Sequence, residues 1–120
     1  MITDIEFKNR IIGNSEQILT NLGDTFITFR IRNSRAVIDY LLIGRGNRGQ
    51  GIGTELINRF EDIARARGVK SIWLRACQWD ITPEHHIIKF YEKNGYKTIN
   101  DYKGIGMQMF KNLFCSGREN

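Results

Sequence analysis

The sequence lacks most of the features that mark specialised protein classes. Two cysteines, Cys77 and Cys115, are too few for a disulfide framework and fit a reducing compartment. No apolar run approaches the roughly 20 residues of a membrane span. Met1–Glu6 has no basic stretch followed by an apolar one, so no leader peptide is predicted and a cytoplasmic protein is expected. His, Cys, Asp and Glu nowhere fall at ligand spacing, so no metal is expected. The net charge is +5, yet no block of five like charges occurs. Such dispersion reads as a solvated basic surface with one anion site, and nucleic acid as an unlikely partner.

What remains is one domain's worth of chain, expected at 1–112 with a polar tail at 113–120. Ile2–Lys8 alternates weakly as a strand, and Asn14–Asp24 reads as a loop or one helical turn. Thr25–Arg32 alternates clearly, placing Ile27, Phe29 and Ile31 on one side. Arg35–Ile43 is apolar on both faces, like a central strand. After a Gly-rich stretch comes an amphipathic helix with Ile52, Leu56, Phe60 and Ile63 in one stripe and Gly68 as a left-handed cap. Glu55–Arg59 and Glu61–Arg65 are i,i+4 pairs assigned to its outer side. Val69–Cys77 is a strand. Thr82-Pro83-Glu84 opens a second helix running to Lys93, and Tyr96–Asp101 and Ile105–Lys111 are the last strands. The order β-β-β-α-β-α-β-β predicts an α/β (α+β) fold with a mixed sheet.

The Gly-rich stretch Gly44–Gly53 holds five glycines in ten residues and fits three registers. Gly44-x-Gly46-x-x-Gly49 matches a dinucleotide fingerprint. Its third glycine, however, precedes the helix, and the acid Asp80 lies 31 residues on rather than about 20. A triphosphatase loop would end Gly-Lys-Ser/Thr, whereas this one ends Gly53-Thr54. The third register, Arg48-Gly49-Gln50-Gly51-Ile52-Gly53, fits an anion site. A tight turn into a helix leaves N–H groups outward at the positive end of the dipole, and glycines let a pyrophosphate approach them.

Together, Leu41–Leu56 and Ile87-Ile-Lys-Phe-Tyr91-Glu-Lys-Asn-Gly95-Tyr96 resemble the two signatures of the GNAT superfamily of acyl-CoA N-acyltransferases. The resemblance covers Thr25–Lys111 well and the first 24 residues poorly, where the family has a strand and two helices. It implies a mostly antiparallel sheet flanked by two main helices, and transfer of an acetyl group from acetyl-CoA to a small-molecule or peptide amine. By position, Arg48 through Thr54 would hold the coenzyme A pyrophosphate. Leu41, Leu42 and Ile43 would pair with the pantetheine arm, with the backbone N–H near Ile43 facing the oxyanion. Tyr91 would protonate the departing thiolate.

The sequence departs from the family pattern at two seats. Glu84 stands where an asparagine contacts pantetheine, and Val37 stands at the seat of the general base. Asp39, two residues on, shares the face of Val37 if no bulge intervenes, which makes it the substitute base; His85 and His86 are further candidates. Cys77 falls near the thioester but reads as a small buried side chain. An acyl-CoA-binding regulatory module without turnover is the competing function. Absent N-terminal helices would bare Phe26, Phe29 and Ile31, predicting a homodimer.

Overall fold

The first finding is a hairpin that the sequence pattern did not indicate. The computed structural model describes residues 4–47, 49–76, 84–102 and 106–113, with backbone only at 45, 84–86, 100–102, 106 and 107. Strands β1 (Phe7–Ile12) and β2 (Ser15–Thr20) pair antiparallel around Gly13-Asn14, with Gly13 at φ 60°. The expected loop at Asn14–Asp24 is therefore largely strand. Only Ile18 of β2 is fully buried, so Glu16 and Gln17 masked the pattern. The Gly-Asn pair was the available signal, being a common two-residue hairpin turn.

β3 (Phe26–Arg32) and β4 (Arg35–Leu42) follow, then α1 (Ile52–Ala66), β5 (Ser71–Ala76), α2 (Glu84–Lys93), β6 (Lys97–Tyr102) and β7 (Gly106–Asn112). They form one seven-stranded sheet in the order β1-β2-β3-β4-β5-β7-β6. Every pairing is antiparallel except β4 with β5, which are parallel and joined through α1. This is the mixed, mostly antiparallel sheet with two helices that was expected.

Both helices lie on one face of the sheet. Ile52, Leu56, Ile57, Phe60 and Ala64 of α1 are buried against Ile18, Ile27, Phe29, Ala36, Ile38, Ile72 and Met109. Phe60 packs on Phe29 with ring centroids 4.7 Å apart. Burying side chains of this size contributes about 1.5–3 kcal/mol each. Phe29, expected in a bare apolar patch, is thus covered by α1 rather than exposed, and Ile31 also packs against the core. Leu113, assigned to the polar tail, is buried too and donates its N–H to the Lys70 carbonyl at 2.9 Å. Residues 114–120 lie outside the described chain.

Both helices end with glycine in a left-handed conformation. At α1 the Val69 N–H reaches the Ala64 carbonyl and the Gly68 N–H that of Arg65, with Gly68 at φ 79°. At α2 the Tyr96 N–H reaches the Tyr91 carbonyl at 3.0 Å and the Gly95 N–H that of Glu92, with Gly95 at φ 95°. The double-bonded ending satisfies the last carbonyls, and a Cβ would strain it.

Glu61 corrects another expectation. Its pairing with Arg65 exists at 3.5 Å, but its side chain is 3% exposed. It accepts hydrogen bonds from Tyr96 Oη at 2.9 Å and from Lys111 Nζ at 2.9 and 3.1 Å. Lys111 Nζ also donates to the Asn94 carbonyl at 2.8 Å. A buried carboxylate is tolerated only when so surrounded. The cluster ties α1 to the end of α2 and to β7.

Candidate active site

The β4–β5 ladder stops at Ile38–Leu74, and beyond it the two strands part. A cleft of about 800 Å³ opens there, inside the size range of ligand sites. One wall is β4 from Ile38 to Leu42 with Ile43, and the other is Leu74 to Ala76 of β5. Gly49 and Gly51 to Thr54 close one end, and Ile87, Lys89, Phe90, Tyr91 and Lys93 of α2 line the side. Of the expected site residues, Leu41, Leu42, Ile43, Gly49, Gly51, Ile52, Gly53, Thr54, Tyr91 and Asp39 are brought together here. Gln50 lies in the same loop, its amide donating to the Gly46 carbonyl at 3.3 Å. Arg48 and Cys77 lie outside the described residues, as do the side chains of Glu84, His85 and His86.

The loop is pinned from below by a residue that sequence reasoning missed. Thr25 is fully buried, and its hydroxyl accepts from the Gly44 N–H and from Asn47 Nδ2, both at 3.0 Å. Asn47 Nδ2 also reaches the Leu22 carbonyl at 3.2 Å, and the Asn47 N–H reaches the Gly44 carbonyl at 2.8 Å. Nothing in the sequence motif signals this anchor, because it joins positions 19 and 22 residues apart.

The helix then starts at Gly51, whose φ of 79° makes it a left-handed N-cap without a side-chain hydrogen bond. The first intrahelical bond runs from the Glu55 N–H to the Gly51 carbonyl at 3.0 Å. The N–H groups of Ile52, Gly53 and Thr54 precede it and point out of the helix end. A Cβ on Gly49 or Gly51 would meet nothing within 4 Å, so the space above these backbone groups is open to a ligand. Gly53 differs: its Cβ would stand 3.0 Å from Phe90 Cζ.

Tyr91 is 7% exposed and held by aromatic neighbours, edge-on to Tyr96 at 5.6 Å and to Phe90 at 5.2 Å. Its place at the last turn of α2 is fixed by the Gly95 ending. Tyr96 keeps its proton firmly. Burial, and then the charge of Glu61, pushes its hydroxyl far above the ordinary tyrosine range. Lys89 and Lys93, one helical turn apart, and Arg75 from β5 add positive charge to the cleft lining, which sequence reasoning did not single out.

A bulge does intervene at Asp39. Thr28 pairs with Tyr40 while the next residue, Phe29, pairs with Ile38, so Asp39 is the extra residue of a β-bulge. The bulge nonetheless leaves the Asp39 carboxylate against Arg30, the cross-strand partner of Val37. Both oxygens of Asp39 accept from Arg30, at 2.7 and 2.8 Å. The pairing raises the Arg30 guanidinium above its usual value, chiefly through those hydrogen bonds. Both acceptor oxygens of Asp39 are thus engaged by a cation.

Residues 24–96 match the model of the acetyltransferase (GNAT) family. No curated protein matches the chain. Among solved structures, PaiA N-acetyltransferase from Thermoplasma acidophilum in complex with coenzyme A is similar at 21% identity and TM-score 0.70, over 83% of this chain and 62% of that one. The chain thus spans less than two thirds of that protein's length. An aminoglycoside 6'-N-acetyltransferase complexed with coenzyme A is similar at 20% identity and TM-score 0.71, over 89% of this chain and 76% of that one. The anti-CRISPR protein AcrVA5 is similar at 28% identity and TM-score 0.65, over 81% of this chain and 97% of that one.

Proposed function

The chain belongs to the acetyltransferase (GNAT) family, and on that footing we propose that it moves an acetyl group from acetyl-CoA to an amine. The observation that carries the reading is the parting of β4 and β5, with an open glycine-lined helix start at one end and Tyr91 in the wall. Two neighbours of the same fold are complexes with coenzyme A. The residues fit such a ligand. Backbone at Gly49 and Gly51 is open to a phosphate, and Lys89, Lys93 and Arg75 offer cations to its anionic groups. The β4 edge at Leu41 and Leu42 would receive the peptide-like pantetheine arm as an added strand.

Acetyl-CoA supplies the activated carbonyl. The protein holds it beside the amine, which replaces a bimolecular encounter with a positioned one. As the amine nitrogen bonds to the carbonyl carbon and the carbon–sulfur bond breaks, Tyr91 gives its hydroxyl proton to the departing sulfur. Water at the cleft mouth takes the proton released by nitrogen, since Asp39 is engaged by Arg30. Calorimetry with acetyl-CoA, followed by thiol release over a panel of amines, tests the reading. Saturable binding with amine-dependent thiol release is expected; binding with no release from any amine would favour a regulatory module.

A further inference from the structure

The face of the sheet opposite α1 and α2 carries no helix among the described residues. Alternation and cross-strand pairing place Lys8, Arg10, Arg30, Arg32, Arg35 and Arg75 on it. Asp39, paired with Arg30, is the one acid among the described strand residues of that face. The acids of α1, Glu55, Glu61 and Asp62, sit on the other side. The excess of positive charge is therefore concentrated on the bare face.

Three details give this face a direction. Arg32 and Arg35 stand directly opposite each other across the β3–β4 turn, both exposed and with no ion pair among the described residues. Like charges in that position repel unless an anion lies between them. Arg35 is held over the Trp73 ring at 4.7 Å, and Trp73 stacks on Phe110 at 5.4 Å, so part of the surface is rigid. Arg75 and Asp39 belong both to this face and to the cleft lining, so the basic surface runs to the mouth of the cleft.

We propose, resting on the acetyl-transfer reading above, that this face selects the acceptor: an amine carried on an acidic polypeptide, a lysine or N-terminus flanked by Asp or Glu. Arg32 and Arg35 bind the flanking carboxylates and hold the acceptor amine toward the cleft mouth. Polyamines and multiply aminated sugars, being polycations, are repelled by the same surface. A second copy of this chain would bring an identical basic face and is disfavoured for the same reason. Nucleic acid meets the charge requirement, but its exocyclic amines are conjugated into the bases and are poor nucleophiles.

The test compares thiol release from acetyl-CoA with three acceptors: a lysine peptide flanked by glutamates, the same peptide flanked by serines, and spermidine. Peptide binding is followed separately by fluorescence anisotropy. The expected result is a kcat/KM for the acidic peptide about tenfold or more above the other two, with an advantage that shrinks as salt screens the charges. Arg32→Glu with Arg35→Glu should abolish that advantage and leave acetyl-CoA affinity unchanged. Should the double variant fold poorly by thermal melt, Arg32→Glu alone, with Arg35 kept on Trp73, should reduce it. Preference for the serine peptide or spermidine, or indifference to charge reversal, overturns the proposal while leaving acetyl transfer intact. So does tighter salt-dependent binding of a single-stranded oligonucleotide that displaces the acidic peptide. If no amine is acetylated, salt-dependent anisotropy binding of the acidic peptide lost on charge reversal supports the docking face alone, and its absence overturns it.

Discussion

Gly53 of α1 and Phe90 of α2 meet where a side chain on Gly53 would have stood. A Cβ there would lie 3.0 Å from Phe90 Cζ and 3.1 Å from Cε1, closer than packed carbon atoms come. The glycine loop and the second signature are thus in direct contact, and one glycine of the loop serves helix packing.

Gly53 and Gly51 should therefore fail differently. Gly53→Ala is expected to destabilise the fold by about 1–3 kcal/mol through overpacking against Phe90, offset in part by about 1 kcal/mol of helix propensity. Gly51→Val strains a left-handed backbone by roughly 1–2 kcal/mol and also puts a side chain into the open space of the loop. Its acetyl-CoA affinity should drop at least tenfold, or about 1.4 kcal/mol. Denaturant melts and calorimetry on both variants check this. Equal affinity loss with equal stability loss would erase the distinction.

Thr25→Val keeps the shape of a buried side chain and removes the oxygen shared by Gly44 and Asn47. Leaving these donors unsatisfied should cost about 1–3 kcal/mol. Because the Asn47 turn leads into the glycine loop, acetyl-CoA affinity should also weaken severalfold. A melt that moves while calorimetric affinity stays at the wild-type value would show that the anchor does not order the loop.

The Tyr96–Glu61 contact predicts an alkaline stability loss. A folded-state value raised above the unfolded one means that native Tyr96 keeps a proton which the unfolded chain gives up. Its contribution is complete below pH ~10 and is lost as pH rises beyond that, at up to about 1.4 kcal/mol per pH unit. Tyr96→Phe should remove this slope, so the stability difference between wild type and variant narrows above pH ~10. Parallel curves from chemical denaturation across that range would contradict it.

Much of the fold was legible in the sequence because apolar periodicity was strong where burial is strong. α1, with its stripe through Phe60, and the strands from Phe26 onward stood out on that ground. The β1–β2 hairpin did not, since a strand at the sheet edge beside a polar neighbour buries little and alternates weakly. The glycine loop and Tyr91 were legible through local spacing. The bulge at Asp39, the anchor at Thr25 and the burial of Glu61 were not, because each depends on a partner elsewhere in the chain: Arg30, Asn47 and Lys111.

Tyr91→Phe tests the central claim most directly, because it keeps the ring packed against Phe90 and Tyr96 and removes only the hydroxyl. With an amine that the wild-type protein acetylates, kcat should fall about 10- to 1000-fold while calorimetric affinity for acetyl-CoA stays within twofold. Turnover at the wild-type rate would make Tyr91 a packing residue and contradict the account.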